Sequence, residues 1–166
     1  PVHRVVWHAK GDYFATVSHV DSATAVHIHQ LSKSKSQCPF TKKKGVVRAV
    51  QFHTKKPHLF LATPRHIRVY DLGRCVLVKK CQVGTALVGA MCTDGVGGNL
   101  FVGGLDRKFS WMDLELSTKP WKTFRHHSSA IRGVAYHSSH HYCPPLWPIN
   151  WAGPRFISSR TPAAVS

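Results

Sequence analysis

Val5-Val6-Trp7-His8, Val50-Gln51-Phe52-His53 and Val134-Ala135-Tyr136-His137 repeat one short phrase, an apolar strand ending in an aromatic residue and then histidine. A divergent copy, Val88-Gly89-Ala90-Met91-Cys92, falls between the last two. The steps are about 40 to 45 residues, which is the period of a four-stranded propeller blade. Such a unit cannot bury its own faces and must stack on neighbours. The expected fold class is therefore all-β: an incomplete WD40-type β-propeller of about three four-stranded blades, the start of a fourth, and an irregular tail.

Working outward from these stems, period-2 alternation and turn residues divide the chain into strands. The first blade reads as Arg4 to Trp7, Tyr13 to Val17, Ala25 to Leu31 and a weak fourth strand near Phe40, with Ser32 to Gln37 as a polar, basic loop. The second reads as Val46 to Phe52, Leu59 to Thr63, Ile67 to Leu72 and Val76 to Lys80, with Ile67 and Val69 facing one way and Arg68 and Tyr70 the other. The third runs Leu87 to Met91, Leu100 to Gly103, Phe109 to Met112 and Trp121 to Phe124, turning at Asp94-Gly95 and Gly97-Gly98. A fourth blade begins at Ala130 and stops at His137, beyond which Pro144, Pro145, Pro148, Pro154 and Pro162 interrupt any ladder. Residues 1–137 are thus expected to form the partial propeller and 138–166 an irregular, proline-rich tail in which Trp147, Ile149 and Trp151 fold back on an exposed face. An arc left open in this way exposes strand edges and an apolar face, and it is expected to be marginally stable or to associate.

The charge balance narrows the partners. Twenty-three basic against seven acidic residues give a formal charge of +16, which favours a polyanion, nucleic acid first. Five cysteines, Cys38, Cys75, Cys81, Cys92 and Cys143, include no CxxC pair, so a reduced compartment is the simpler reading. No apolar run approaches the roughly 18 residues of a membrane span, and no membrane partner is expected. A start at Pro1 suggests a fragment or processed product.

Propeller blades of the WD type close on Trp-Asp and are tied by a set of Asp, His, Ser/Thr and Trp. Tyr70-Asp71 and Trp111-Met112-Asp113 are imperfect closures, Asp106 sits in the turn where the structural aspartate belongs, and His127 precedes Ile131 as a loop histidine would. Together with Trp7, His8, Phe52, His53, Tyr136 and His137 these are the structural repeat positions, and Trp7, Phe52, Trp111 and Tyr136 are expected in the core. Trp7-His8-Ala9-Lys10-Gly11-Asp12-Tyr13, Ile28 to Lys33, Ser36 to Phe40, Val69 to Leu72 and above all Trp111-Met112-Asp113-Leu114-Glu115-Leu116-Ser117-Thr118-Lys119-Pro120-Trp121 resemble the WD-repeat domain of the block-of-proliferation family. The resemblance covers about residues 2 to 137 and ends there, without the family's further blades. It implies a non-catalytic scaffold in maturation of the large ribosomal subunit, with a pescadillo-type protein, a second WD-repeat protein, the pre-60S particle and ribosomal RNA as partners. The implied location is the nucleus, nucleolus and nucleoplasm. Two alternatives stand beside it: a general protein-recruitment module, and a truncated product without independent function.

Lys33, Lys35, Lys42, Lys43, Lys44 and Arg48 crowd the link between the first two blades, with Lys55 and Lys56 a turn away, and Lys119, Lys122 and Arg125 form a second set. These are the candidate RNA or partner contacts, against the plain reading of a solvated loop that protects a strand edge. His137, His140, His141 and Cys143 lack a zinc spacing, so no metal or other cofactor is expected. Carboxylates confined to turns and strand exits offer no converging acid and base, so neither an enzyme nor a small-molecule substrate is expected.

Overall fold

The computed structural model describes residues 2–18, 25–40 and 45–136 and a short strand at 156–157. Strands β1 (Val2–Trp7), β2 (Tyr13–Ser18), β3 (Val26–Gln30) and β4 (Lys35–Gln37) form one antiparallel sheet in sequence order. Strands β5 (Ala49–Phe52), β6 (His58–Ala62), β7 (His66–Asp71) and β8 (Val76–Gln82) form the second. The third comprises β9 (Val88–Thr93), β10 (Asn99–Gly104), β11 (Phe109–Asp113) and β12 (Lys122–Phe124). A two-residue strand β13 (Ala135–Tyr136) pairs with β14 (Phe156–Ile157). β1, β5, β9 and β13 lie side by side, so the sheets are blades arranged around a common edge. Over the described residues the fold is all-β, a partial propeller whose blades do not close into a ring.

Alternation is what packs it. On β5 to β7 the side chains of Val50, Phe52, Leu59, Leu61 and Tyr70 pack against Ala15, Val17, Val26 and Ile28 of the first blade. Phe60, Ala62, Ile67 and Val69, from the opposite face, join Met91, Leu100, Val102 and Met112 of the third blade. Beyond the third blade Phe101 and Phe109 are covered by Ile131, with Val134 and Tyr136 packed alongside. Gly103 makes that approach possible, because a Cβ there would run into the Ile131 side chain.

The fourth strand of the first blade is not near Phe40. Leu31 C=O accepts from Ser34 N–H at 3.0 Å and Ser34 adopts φ 47°, a tight reversal that sends Lys35, Ser36 and Gln37 back along β3. The segment expected as a polar loop is therefore partly strand, and Phe40 is instead buried between blades with its ring 4.6 Å from Tyr70. The divergent stem is also displaced from its expected place. His8 N–H donates to Tyr13 C=O, His53 N–H to His58 C=O and Asp94 N–H to Asn99 C=O, so Thr93-Asp94 is the third-blade equivalent of Trp7-His8 and Phe52-His53. Trp7 departs from the core expectation: it is 55% exposed, because no blade packs on its side of the sheet among the described residues. The tail contacts expected of Trp147, Ile149 and Trp151 lie outside the described residues, as does His137.

Candidate nucleic-acid interface

Antiparallel order gives the arc two ends. One carries the β1–β2, β5–β6 and β9–β10 turns and the turns that enter β4, β8 and β12. Its chemistry is set by capping. Nδ1 of His8 accepts from Lys10 N–H at 3.2 Å, and Nδ1 of His53 accepts from Lys55 and Lys56 N–H at 3.0 and 3.1 Å. In the third blade Asp94 does the same work, its Oδ1 accepting from Gly97 N–H at 2.5 Å and Asn99 N–H at 3.2 Å. Asp71 caps Gly73 and Arg74, Asp113 caps Glu115 and Leu116, and Asp12 accepts from Ser32 N–H. What the aromatic-His phrase supplies is thus an acceptor for orphan turn amides, a role any short polar acceptor can fill.

Burial and neighbouring charges set the titration shifts of the two histidines, and hydrogen bonds that of Asp12. Burial, reinforced by Lys10, pulls His8 below the ordinary imidazole value. His53 is lowered by burial, then by His58 and Lys56, with Asp94 opposing. The carboxyl of Asp12 is lowered chiefly by the Gln30 amide and the Ser32 N–H.

The proposed cationic cluster is divided. Lys33 and Lys35 are exposed at this capped end, beside a shallow 110 Å³ recess lined also by Tyr13, Ile28, Gln30 and Gln37. Lys55 and Lys56 are exposed there too, with Lys56 3.9 Å from Glu115. Arg48 lies at the opposite end of β5, its N–H donating to Ala62 C=O. Lys42, Lys43 and Lys44 fall outside the described residues. The second set divides likewise. Lys119 stays in the capped-end turn, bonded through its N–H to Ser117, whereas Lys122 lies over the Phe124 ring at 5.3 Å and Arg125 follows β12 at the far end.

That far end, built from inter-blade links and the β6–β7 and β10–β11 turns, carries arginines that sequence reading did not single out: Arg65, Arg107 and Arg132, all exposed. Asp106 is the carboxylate described there. It accepts from Ala86 N–H at 3.0 Å and meets Lys108 Nζ at 3.3 Å. Burial works against its charge, but these partners outweigh burial and its carboxyl is lowered. His127 is half-exposed nearby. Nucleophilic chemistry finds little support in Cys92, whose thiol is pushed up to about 12 by burial and by Asp94.

Relatives fix the ancestry. The chain is 57% identical over 139 residues to the ribosome biogenesis protein BOP1 homolog of Caenorhabditis elegans, a match covering 84% of this chain and 21% of that protein. It is 52% identical over 141 residues to the BOP1 homolog of Brugia malayi, covering 85% and 22%. It is 47% identical over 136 residues to ribosome biogenesis protein ERB1 of Scheffersomyces stipitis, covering 82% and 17%. The chain belongs to the block-of-proliferation family. No family model matches it. It spans about a fifth of the length of these curated relatives. The stretch most specific to the block-of-proliferation resemblance, Trp111 to Trp121, comprises the end of β11 and the capped-end loop leading into β12. Asp113 folds its first turn, Trp111 Nε1 donates to Asn99 at 2.8 Å, and the Trp121 ring packs 4.9 Å from Trp111.

Proposed function

We propose that this chain is a non-catalytic scaffold segment in ribosome biogenesis. It holds a WD-repeat or pescadillo-type protein on its blades and loops and contacts pre-ribosomal RNA of the pre-60S particle through its basic residues, in the nucleolus and nucleoplasm. The observation that carries the reading is the 57% identity across 139 residues to a relative named as a ribosome biogenesis protein. The charge of +16 supports the RNA contact, because phosphate neutralisation is the sequence-independent part of nucleic-acid affinity.

The test is expression of the tagged chain followed by sucrose-gradient sedimentation and imaging. Co-sedimentation with pre-60S particles and nucleolar enrichment are expected. A diffuse distribution with no particle association would refute the scaffold. Salt-insensitive capture of one acidic protein without RNA would replace it with a recruitment module.

A further inference from the structure

The two ends differ in their balance of charge. Lys10, Lys33, Lys55, Lys56, Arg74 and Lys119 project from the capped end, where Asp12, Asp71, Asp94, Asp113 and Glu115 also sit. The link end carries the exposed Arg65, Arg107, Arg125 and Arg132, the half-buried Arg48 and, near the end of β8, Lys80, while Asp106, the carboxylate described there, is already engaged by Lys108. Arginine presents a planar fork of donors that matches phosphate geometry and is more weakly hydrated than an ammonium.

A seam of backbone hydrogen bonds carries most of these arginines. Arg48 N–H donates to Ala62 C=O at 2.8 Å, which ties the first link to the end of β6. Val88 N–H donates to Pro64 C=O at 3.0 Å, beside Arg65. Leu105 N–H donates to Leu87 C=O at 2.9 Å, and Ile131 N–H to Gly104 C=O at 3.1 Å, bringing Arg132 alongside the turn that bears Arg107. The turns and links of successive blades are therefore bonded to one another, and the arginines stand on a fixed backbone. Positive charge converges enough there to be felt by a neighbour: His66 is lowered by burial and then by Lys80, Arg68 and Arg65.

The apolar side chains point the same way by their distribution. Leu31, Val96, Leu116 and Trp121 are exposed at the capped end, whereas Val2 and Val46 are the large exposed apolar residues at the link end among those described. Protein interfaces take their energy from buried aromatic and aliphatic anchors. A surface of arginines with few such anchors suits a phosphodiester backbone better than a protein.

We infer that the link end, through Arg65, Arg107, Arg125 and Arg132 with Arg48 at its margin, is the RNA-binding surface of this arc, and that it grips the phosphates of an RNA strand. This rests on the scaffold reading above and assigns the RNA to one of the two ends. The capped end, with its mixed charges and exposed apolar turns, is left to protein.

The experiment compares the full chain with two triple variants of equal charge loss, Arg65→Gln/Arg107→Asn/Arg125→Gln and Lys33→Gln/Lys55→Gln/Lys56→Gln. Asparagine is chosen at 107 because that residue has φ 67°, which Asn tolerates. Anisotropy of a short fluorescein-labelled oligouridylate gives affinity across a salt series, and circular dichroism melts establish that each variant folds as the parent does. The arginine variant is expected to lose at least about tenfold in affinity and about 2 from the log–log salt slope, while the lysine variant loses less than about threefold. An Arg→Lys version of the first triple, retaining charge, provides the comparison if the neutral variant melts early; it is expected to keep the slope and lose part of the affinity. Equal losses in the two neutral variants, a larger loss in the lysine variant, or equal competition by polyglutamate would overturn the assignment. Gradient sedimentation of the same variants separates the readings. A chain that enters pre-60S particles yet binds RNA independently of these arginines refutes the surface and spares the scaffold, whereas one that never enters them refutes the scaffold.

Discussion

The first and second blades share a register and live in opposite surroundings. Trp7 pairs across its sheet with Phe14 as Phe52 pairs with Leu59, yet Trp7 is 55% exposed and Phe52 4%. Blade two is covered on both faces, with Leu59, Leu61 and Tyr70 on one side and Phe60, Ile67 and Val69 on the other. Blade one buries Ala15, Val17, Val26 and Ile28 and, among the described residues, leaves the side bearing Val5, Trp7, Phe14 and His29 open. That open face partly covers itself. Trp7 lies 5.0 Å from Phe14, which stacks on His29 at 4.6 Å, and the His29 ring bridges Thr16 and Ser36 at 2.9 and 2.7 Å. In a stacked-blade fold a neighbour decides burial, and the side chain only decides what the neighbour would gain.

The largest expected effect follows at the middle of the covered blade. Phe60→Ala removes a ring that is 1% exposed, and it should cost about 3–5 kcal/mol, a large part of the roughly 5–15 kcal/mol that holds a domain together. Urea denaturation followed by fluorescence measures it. A cost below about 1 kcal/mol would mean that the second blade is no better packed than the first.

Matched glycines sharpen the comparison at the turns. Gly11, at φ 77°, has open space where a Cβ would go, so Gly11→Ala should cost on the order of 1 kcal/mol of backbone strain. Gly97, at φ 86°, lies against the His53 ring, which a Cβ would strike. Gly97→Ala therefore adds displacement of a buried neighbour and should cost about 3 kcal/mol. Equal losses in the two variants would show that the joint between blades two and three gives way freely.

Much of blades two and three is legible in the sequence, because Pro57, Pro64, Asp94-Gly95 and Gly97-Gly98 punctuate strands whose two faces both need apolar residues. β4 is not legible, since Lys35, Ser36 and Gln37 are all exposed and carry no periodicity; the turn at Ser34 places them. Asp94 is missed as a stem residue because the position requires an acceptor and the eye follows histidine. The arginine surface is hidden for a topological reason: Arg65, Arg107 and Arg132 occur singly in different turns and links, and only the sheet order gathers them. Lys55 and Lys56, by contrast, look like one patch with Arg48 and are separated from it by the length of β5.

The turn histidines give a smaller, pH-dependent effect. Because burial lowers His53 and His8 in the folded chain, the unfolded chain binds more protons just below the ordinary imidazole value. Their contribution is complete above about pH 6.5 and is lost as pH falls through the window down to the folded values. His53→Asn keeps a side-chain acceptor for the Lys55 and Lys56 amides, as Asp94 does in the next blade, and should flatten the acid loss of stability. His8→Asn should flatten it less, since His8 is only half-buried at the free blade. Urea midpoints at pH 7.5, 6.5 and 5.5 would reveal the difference. A steeper loss in His53→Asn than in the parent would reverse the sign and count against the buried-neutral assignment.

The smallest effect belongs to the open face itself. Trp7→Lys removes contact with Phe14 but leaves the long alkyl stem over the same surface and its ammonium in water, so stability should change by less than about 1 kcal/mol. Phe52→Lys, at the same register one blade on, would place an unpaired ammonium among Val50, Leu59 and Ile28 and should prevent folding. A loss of more than about 2 kcal/mol in Trp7→Lys would mean that the face is covered in solution. If that loss grew with protein concentration, a second copy would be the cover, and if it did not, the cover would lie within the same chain.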